Sequence, residues 1–177
     1  MGSDKSQLVY QNLPQYEQVA RLLELFCRQV FISVRKPLPA LSFPVIADRF
    51  PSEGPLAGIL SALTEHPGAA WLIAPVDMPA LDYPTVDFLV RHHSPAHSVT
   101  CFRHPDDHRP EPLLGIWQGH VLPDLLTYYN RGGRSVRRFI ESISAVVLNP
   151  PDARTIVNIN TPAEREAFLA KKLNKAE

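Results

Sequence analysis

Asp77 is the residue of this sequence best placed to do chemistry, because it follows an apolar run and lies between two prolines. The run Ala70–Ala74 is continuous and apolar, which is typical of a strand buried on both faces. Asp77 would then lie just beyond the carboxyl end of that strand, which is the edge where ligands bind in open α/β sheets. Pro75 and Pro79 restrict the backbone on both sides, so we expect the carboxylate to be held in place.

A carboxylate in this position is a hard oxygen donor that suits Mg²⁺ and a polyphosphate. Mg²⁺ often takes only one or two protein carboxylates and completes its coordination shell with water and phosphate oxygens. A structural aspartate in a proline-rich turn is the alternative interpretation of Asp77. The residue types alone leave both interpretations open.

Three further groups of residues could serve a bound nucleotide. Asp48 follows a short predicted strand, where it is either a ligand or a cap for the next turn. Gly54–Gly58 begins a predicted helix with small residues. These residues either expose backbone N–H groups to a ligand or allow the helix to pack tightly on a strand. Lys5 lies beside a Gly-Ser turn, where it could meet a phosphate or belong to a frayed terminus.

Zinc chemistry and a protein nucleophile are both disfavoured by the sequence. His93 and His97 are separated as ligands on one helix face would be, but Pro95 interrupts that spacing and the sequence has no HExxH motif. Cys27 and Cys101 have no neighbouring base. The GxSxG and GxxxxGK[ST] motifs are absent from the sequence.

Predicted strands and helices alternate along most of the sequence, which indicates an α/β protein with a mainly parallel sheet. The predicted strands are Val30–Val34, Phe43–Ala47, Ala70–Ala74, Ser98–Phe102, Pro112–Trp117 and Ala145–Leu148. The predicted helices begin at Leu13, Gly54, Pro84, Val121, Ser135 and Thr161. The strands near Ser98 and Pro112 are close in sequence, so we expect an antiparallel piece there.

The composition limits the classes of protein to which the chain can belong. Its 177 residues fit one domain, and 45% hydrophobic with 20% charged residues is the balance of a globular protein. The 18 basic and 18 acidic residues make binding to nucleic acid over the whole surface improbable. No signal peptide or membrane-length apolar run is visible, and the cysteines show no disulfide framework, so we predict a cytoplasmic protein.

Several segments, taken in order, resemble the molybdenum cofactor guanylyltransferases. Met1–Lys5 resembles the second half of the signature GGxSxRMGxDK, Gly54–Gly58 matches the segment GPLAG, and Pro75–Pro79 matches the segment P-x-D-x-P. Pro112-Leu113 and Asn158–Pro162 match later segments of the family. The matches run in order over almost the whole chain, which makes the set more specific than any one of them.

This resemblance implies one Rossmann-like, three-layer nucleotidyltransferase domain over residues 1–177. It implies transfer of GMP from MgGTP to molybdopterin with release of pyrophosphate, and molybdoenzymes or other cofactor-synthesis proteins as partners. The nearest alternative within the class is a cytidylyltransferase that acts on the same pterin. An alternative from another class is a non-catalytic homologue that binds the nucleotide or the pterin.

The resemblance also assigns roles to individual residues. Lys5 and Asp77 would be catalytic, Lys5 at the nucleotide phosphates and Asp77 holding Mg²⁺ near the α-phosphate. Asp48 and Gly54 would bind the nucleotide, with Asp48 at the nucleoside. Ser33 lies where the family often has a guanine-contacting Asn, and Ser offers one hydroxyl in place of a two-ended amide.

The second substrate is assigned to the other end of the sequence. By the same resemblance, Asn158 and Asn160 would lie near the pterin or the metal. Their charge alone suggests that the pterin phosphate would be bound by Arg131, Arg134 and Arg137.

One part of the family signature has no counterpart in this sequence. The signature begins with an apolar strand and LAGGxSxR, whereas this sequence starts within it, at Met1-Gly2. That part contains the central strand and the glycine loop whose N–H groups wrap a triphosphate. If this strand is absent from the protein, we expect a gap in the sheet, weak GTP binding and poor activity.

Overall fold

A computed structural model describes residues 9–10, 13–35, 42–51 and 54–173 of the chain. Helices and strands alternate along them, as the sequence predicts. The strands are β1 Val9–Tyr10, β2 Leu13–Pro14, β3 Ile32–Val34, β4 Val45–Ala47, β5 Trp71–Ile73, β6 Val99–Arg103, β7 Pro110–Trp117 and β8 Val146–Leu148. The helices are α1 Gln15–Leu23, α2 Pro55–Glu65, α3 Tyr83–His92, α4 Leu122–Asn130, α5 Val136–Ser142 and α6 Pro162–Leu173, with short 3-10 turns at Gly119–Val121 and Ala153–Ile156.

The largest sheet has four strands in the order β5-β7-β6-β8. Strand β7 is antiparallel to both β5 and β6, and β6 is parallel to β8. Strands β5, β6 and β8 therefore run in one direction, and β7 is the reversed strand between two of them. The expected antiparallel piece is confirmed as the β6–β7 pair.

Strands β3 and β4 form a separate parallel pair, and β1 pairs with β2. Helix α2 packs on β3 and β4 and then leads the chain to β5, which is the kind of crossover that joins parallel strands. Within the described residues, β3 pairs with no strand other than β4, and β5 pairs with none other than β7. The described strands thus form three groups that share no ladder, namely β1–β2, β3–β4 and the four-stranded sheet.

Helices cover both faces of the large sheet. Successive side chains of a strand point to opposite faces, so Trp117 and its neighbour Ile116 belong to different core clusters. Trp117 packs with Leu60 of α2 and Phe139 of α5, whereas Ile116 packs with Leu89 of α3. This arrangement gives three layers of secondary structure.

Local sequence signals explain several element ends. Ser135 Oγ accepts a hydrogen bond from Arg138 N–H at the start of α5. Thr161 and Glu164 form a capping box at the predicted start of α6, because each side chain accepts a hydrogen bond from the backbone N–H of the other. The first helix was expected to begin at Leu13, but Leu13–Pro14 forms β2, and α1 runs from Gln15 to Leu23.

No helix in the described part of the chain is both long and apolar enough to cross a membrane.

Candidate functional site

A cavity of about 940 Å³ lies between the β3–β4 pair and strand β5. Its lining includes Ser33, Asp48, Gly54 and Asp77, four of the residues that the sequence predicts for the site. The fold therefore gathers candidates that are far apart in the sequence. Lys5 lies outside the described residues, so its role at the phosphates stays a prediction.

One wall of the cavity is built from β3, β4 and helix α2. Ser33 is the middle residue of β3 and pairs with Ile46, while Asp48 directly follows β4. Gly58 of α2 lies so close to these two that a β-carbon on it would be 2.6 Å from Ser33 Oγ and 3.6 Å from Asp48 Oδ1. The lack of a side chain at Gly58 thus lets the helix, the hydroxyl and the carboxylate share one small volume.

The Asp48 carboxylate on this wall is half-buried. Its burial raises its pKa above the usual range, and the positive charge of Arg35 partly offsets that rise. Asp48 N–H donates to the carbonyl of Val34 at 2.9 Å, which fixes its backbone. The carboxylate is a good acceptor for a hydroxyl group of a ligand in the cavity.

Helix α2 directs its amino-terminal end to the cavity, since Gly54 and Pro55 both line it. Gly54 is the N-cap with φ of 104°, a backbone conformation that a residue with a β-carbon would adopt only with strain. The first N–H groups of a helix have no acceptor within the helix and carry partial positive charge. This end of α2 suits an anionic group such as a phosphate.

The opposite wall carries Asp77 in the turn that follows β5. Asp77 Oδ1 is buried. The backbone carbonyl of Asp77 accepts a hydrogen bond from Ile159 N–H at 2.7 Å, which ties the segment before α6 to this turn. Asn158 is the neighbour of Ile159, and its Oδ1 is buried without a hydrogen-bond partner among the described residues. The structure thus brings Asn158 to the Asp77 turn.

Asn160 occupies a different position, because its side chain is exposed and its backbone N–H donates to Glu164 Oε2 at 2.7 Å. It lies at the amino-terminal end of α6. Of the two asparagines, only Asn158 has a buried side-chain oxygen, and neither residue belongs to the lining of the cavity.

Glu111 is a buried carboxylate near Asp77 that was not predicted from the sequence. It lies in β7 and is 4% exposed. Burial raises its pKa, the N–H of Leu113 and the charge of Arg137 lower it, and the negative charge of Asp77 raises it further. The signal available in the sequence was an acidic residue inside the apolar segment Pro110–Trp117.

The three arginines that charge suggested for the pterin phosphate lie outside the lining of the cavity. Arg137 Nη1 lies 2.7 Å from Asp107 Oδ2, and Arg137 Nη2 lies 3.7 Å from Glu111 Oε2. Arg134 lies over the ring of Tyr129, 4.4 Å from its centroid, and donates to the Tyr129 carbonyl. Arg131 is exposed. The structure therefore does not gather these side chains around Asp77.

Within the described ranges, no group of three or more His, Cys, Asp or Glu side chains forms a metal-binding cluster.

Comparison with known proteins gives the family. Residues 1–146 match the MobA-like NTP transferase domain. The chain belongs to this family. The family assignment confirms the resemblance seen in the sequence and makes nucleotidyl transfer the reaction class of the chain's relatives.

Similar proteins support the assignment. A molybdenum cofactor biosynthesis bifunctional protein of Synechocystis sp. is 30% identical over 168 residues, which cover 93% of this chain and 48% of that protein. The chain thus spans about half the length of that relative. A probable molybdenum cofactor guanylyltransferase of Deinococcus radiodurans is 30% identical over 167 residues, covering 92% of this chain and 84% of that protein.

The fold agrees with the family. The crystal structure of molybdopterin-guanine dinucleotide biosynthesis protein A from Archaeoglobus fulgidus superimposes with a TM-score of 0.76 and 20% identity. The superposition covers 97% of this chain and 92% of that one. It confirms the predicted α/β nucleotidyltransferase fold of this MobA-like chain.

Proposed function

We propose that this MobA-like chain transfers GMP from GTP to molybdopterin, forming molybdopterin guanine dinucleotide and releasing pyrophosphate. The observation that carries the proposal is the meeting of Ser33, Asp48, the start of α2 and Asp77 in one cavity. The cavity takes in the residues that follow β4 and β5, and strand ends are the usual place for a nucleotide in an α/β fold. The names of the relatives, guanylyltransferases among them, support GTP as the donor.

The wall formed by β3, β4 and α2 would bind the nucleotide. The first free N–H groups of α2 would face phosphate oxygens, and the Asp48 carboxylate would accept a hydrogen bond from a nucleoside hydroxyl. The Ser33 hydroxyl, held near Gly58, would meet the base. A single hydroxyl offers fewer hydrogen-bonding groups to a base than an amide does, so it distinguishes guanine from cytosine less well. Transfer from CTP is therefore the alternative activity to test.

The wall that carries Asp77 fits Mg²⁺ by the chemistry of its donors. The Asp77 carboxylate and the Asn158 amide oxygen would hold the ion, because both are hard oxygen donors with a buried Oδ1 and the Asp77–Ile159 hydrogen bond keeps their segments together. When bound, Mg²⁺ would neutralise negative charge on the phosphate oxygens of the nucleotide. The residues of the chain would keep the α-phosphate close to this charge and in a fixed orientation.

The reaction needs alignment of two phosphates more than covalent chemistry by the protein. A terminal phosphate oxygen of molybdopterin would attack the α-phosphorus of GTP, so a new P–O bond forms while the bond to the bridging oxygen of pyrophosphate breaks. No protein nucleophile is required. Burial raises the pKa of the Cys101 thiol to about 12, which keeps that cysteine protonated and unreactive at neutral pH.

The test is nucleotide transfer by the purified chain with molybdopterin, Mg²⁺ and either GTP or CTP labelled at the α-phosphate. We expect labelled product from GTP that the Asp77→Asn variant does not form. Asp124→Asn is the matched control, because Asp124 is an exposed carboxylate in the first turn of α4.

Two outcomes would change the proposal. Faster turnover with CTP would make the chain a cytidylyltransferase. Undiminished activity of Asp77→Asn in a complementation assay would remove the enzymatic role and favour a non-catalytic protein that binds the nucleotide or the pterin.

A further inference from the structure

The segment before α6 carries Asn158, and two contacts tie this segment to the turn and the helix that follow β5. The first contact is the hydrogen bond that Ile159 N–H donates to the Asp77 carbonyl at 2.7 Å. The second is a pair of hydroxyl groups, in which Thr155 Oγ1 lies 2.8 Å from Thr85 Oγ1 of α3. We call these two threonines the hydroxyl clasp. In the sequence, Asn158 lies between the two contacts.

Both threonines of the hydroxyl clasp are buried, with Thr85 exposed by 1% and Thr155 by 6%. Hydroxyl groups in such positions must find their hydrogen-bond partners within the protein. Thr85 Oγ1 lies 2.6 Å from Asp82 Oδ1, and a carboxylate oxygen accepts, so the one hydrogen of this hydroxyl goes to Asp82. Thr155 is therefore the donor within the clasp.

The hydroxyl clasp ends on a fixed part of the fold. Asp82 is the N-cap of α3 and also accepts a hydrogen bond from Thr85 N–H at 3.0 Å. At the other end, the carbonyl of Asp152 lies 2.7 Å from Thr155 Oγ1 and receives Thr155 N–H at 3.2 Å. That carbonyl keeps a donor when the hydroxyl points to Thr85. A hydrogen-bond chain that ends on a carboxylate is stronger than one between neutral groups.

Apolar packing acts between the same two segments. Met78 follows Asp77, Ile156 follows Thr155, and both of these apolar side chains are fully buried in one core cluster. Apolar contact is non-directional, so it holds the segments together without fixing their orientation. A hydrogen bond has a preferred length and angle. The orientation of the segment therefore comes from the hydroxyl clasp and from the Ile159 hydrogen bond.

The position of Asn158 needs such support. Its Oδ1 is buried and has no hydrogen-bond partner among the described residues. A buried acceptor without a donor is unfavourable, so a segment tied at Ile159 alone would gain free energy by turning this oxygen to water. The clasp fixes the segment on the other side of Asn158 and opposes that movement.

We propose that Thr155 and Thr85 are positioning residues of the cation site, because their hydroxyl clasp fixes Asn158 against the Asp77 turn and thereby sets the affinity for Mg²⁺. This inference rests on the proposed function, in which Asp77 and Asn158 hold the ion. Mg²⁺ demands near-ideal octahedral geometry, so two ligands from separate segments must be kept in place by the contacts around them. The threonines act without touching the ion.

The test measures cation binding directly, with Mn²⁺ as the probe and free Mn²⁺ determined by electron paramagnetic resonance. Thr155→Val replaces the hydroxyl with a methyl group of similar size. We expect the dissociation constant for Mn²⁺ to rise roughly tenfold in this variant and in Thr85→Val. Thr155→Ser keeps the hydroxyl and should restore wild-type binding. Binding that Asp77→Asn removes is counted as binding at the site.

Thr100→Val is the matched control for stability. Thr100 is 1% exposed, and its hydroxyl accepts Ser94 N–H at 3.2 Å in another part of the fold. We expect the melting temperature to fall in both Thr100→Val and Thr155→Val, but the affinity for Mn²⁺ to fall only in Thr155→Val. Unchanged affinity in Thr155→Val would overturn the proposal. Equal weakening by Thr100→Val would also overturn it, because the cause would then be a general loss of stability.

Nucleotide transfer gives a second measure of the same effect. In Thr155→Val, the Mg²⁺ concentration for half-maximal transfer of GMP should rise roughly tenfold, whereas kcat at saturating Mg²⁺ should stay close to that of the wild type. The Thr85→Val/Thr155→Val double variant should be no worse than either single variant, because the one shared contact is lost only once. A fall in kcat that Mg²⁺ does not restore would contradict a positioning role.

Amide hydrogen exchange separates this inference from the proposed function, since it needs neither metal nor nucleotide. The amide of Ile159 should exchange roughly tenfold faster in Thr155→Val than in the wild type, and Thr155→Ser should keep the slow exchange. Absence of Asp77-dependent Mn²⁺ binding in the wild type would contradict the proposed function. Unchanged exchange at Ile159 in Thr155→Val would contradict the clasp itself.

Discussion

The two walls of the cavity hold their polar groups in different ways. On the β3–β4 wall, Ser33 is exposed and Asp48 is half-buried, and the pair of strands has no further partner among the described residues. On the other wall, Asp77 follows a strand of the four-stranded sheet, and its turn is bound to the segment of Asn158. The second wall is preorganised, so changes there should affect chemistry more than changes on the first wall.

Asp77→Asn should have the largest effect, because it removes a charge that the protein holds in a fixed place. We expect kcat/KM for GTP to fall by roughly 100-fold or more, with an unchanged melting temperature. Initial rates and thermal unfolding measure the two quantities, with Asp124→Asn as the control. A loss below tenfold would show that this wall is not the catalytic one.

Asn158→Ala, in the segment bound to the Asp77 turn, should have a smaller effect, since an amide oxygen carries no full charge. We expect roughly a tenfold loss of kcat/KM. Asn130→Ala, at the exposed end of α4, is the matched control. If both side chains hold one ion, the Asp77→Asn/Asn158→Ala double variant should lose less transition-state stabilisation, calculated from kcat/KM, than the two single variants lose together. Simple additivity would separate their roles.

Gly58→Ala tests the β3–β4 wall with one methyl group. The new β-carbon would lie 2.6 Å from Ser33 Oγ, so the hydroxyl must rotate away. We expect KM for GTP to rise roughly threefold to tenfold, because moving a side chain from its rotamer costs about 0.5–1.5 kcal/mol. Gly68→Ala, where no atom lies within 4 Å of the added carbon, is the control. An unchanged KM would exclude Ser33 from the nucleotide site.

Glu111→Gln tests stability near the second wall and should have the smallest effect. Burial raises the pKa of Glu111 in the folded protein, so its contribution to stability is fully present below its unfolded pKa and is lost as pH rises through the folded pKa. Relative to the wild type, Glu111→Gln should gain stability as pH rises from about 3 to 7. Urea unfolding at several pH values measures this, and a constant difference would contradict it.

The features that the sequence predicts well are those with local signals. The apolar run before Asp77, the small residues from Gly54 to Gly58 and the helix start at Thr161 each depend on neighbours in the chain. The structure places a strand, the start of α2 and the start of α6 there, although the residues of β5 are half-buried and not buried on both faces. The family resemblance adds the fold, which the comparisons confirm.

The features that the sequence missed depend on contacts between distant residues. The antiparallel pairing of β6 with β7 was expected, but the position of β7 between β5 and β6 follows from the long-range β5–β7 pairing, which no local pattern encodes. Glu111 comes near Asp77 only through that pairing, and Asn158 reaches the same turn through the Asp77–Ile159 hydrogen bond. The phosphate role of the three arginines rested on charge alone, and their side chains lie outside the lining of the cavity.

The two tryptophans of the chain give it two optical reporters in unlike surroundings. Trp117 is fully buried in the core, whereas Trp71 lines the cavity and lies 5.6 Å from the ring of Phe31 and 5.9 Å from that of His66. A Trp117→Phe protein would therefore emit from Trp71 alone. Its emission maximum and its quenching by acrylamide would report, in real time and without a label, whether the cavity is open to solvent.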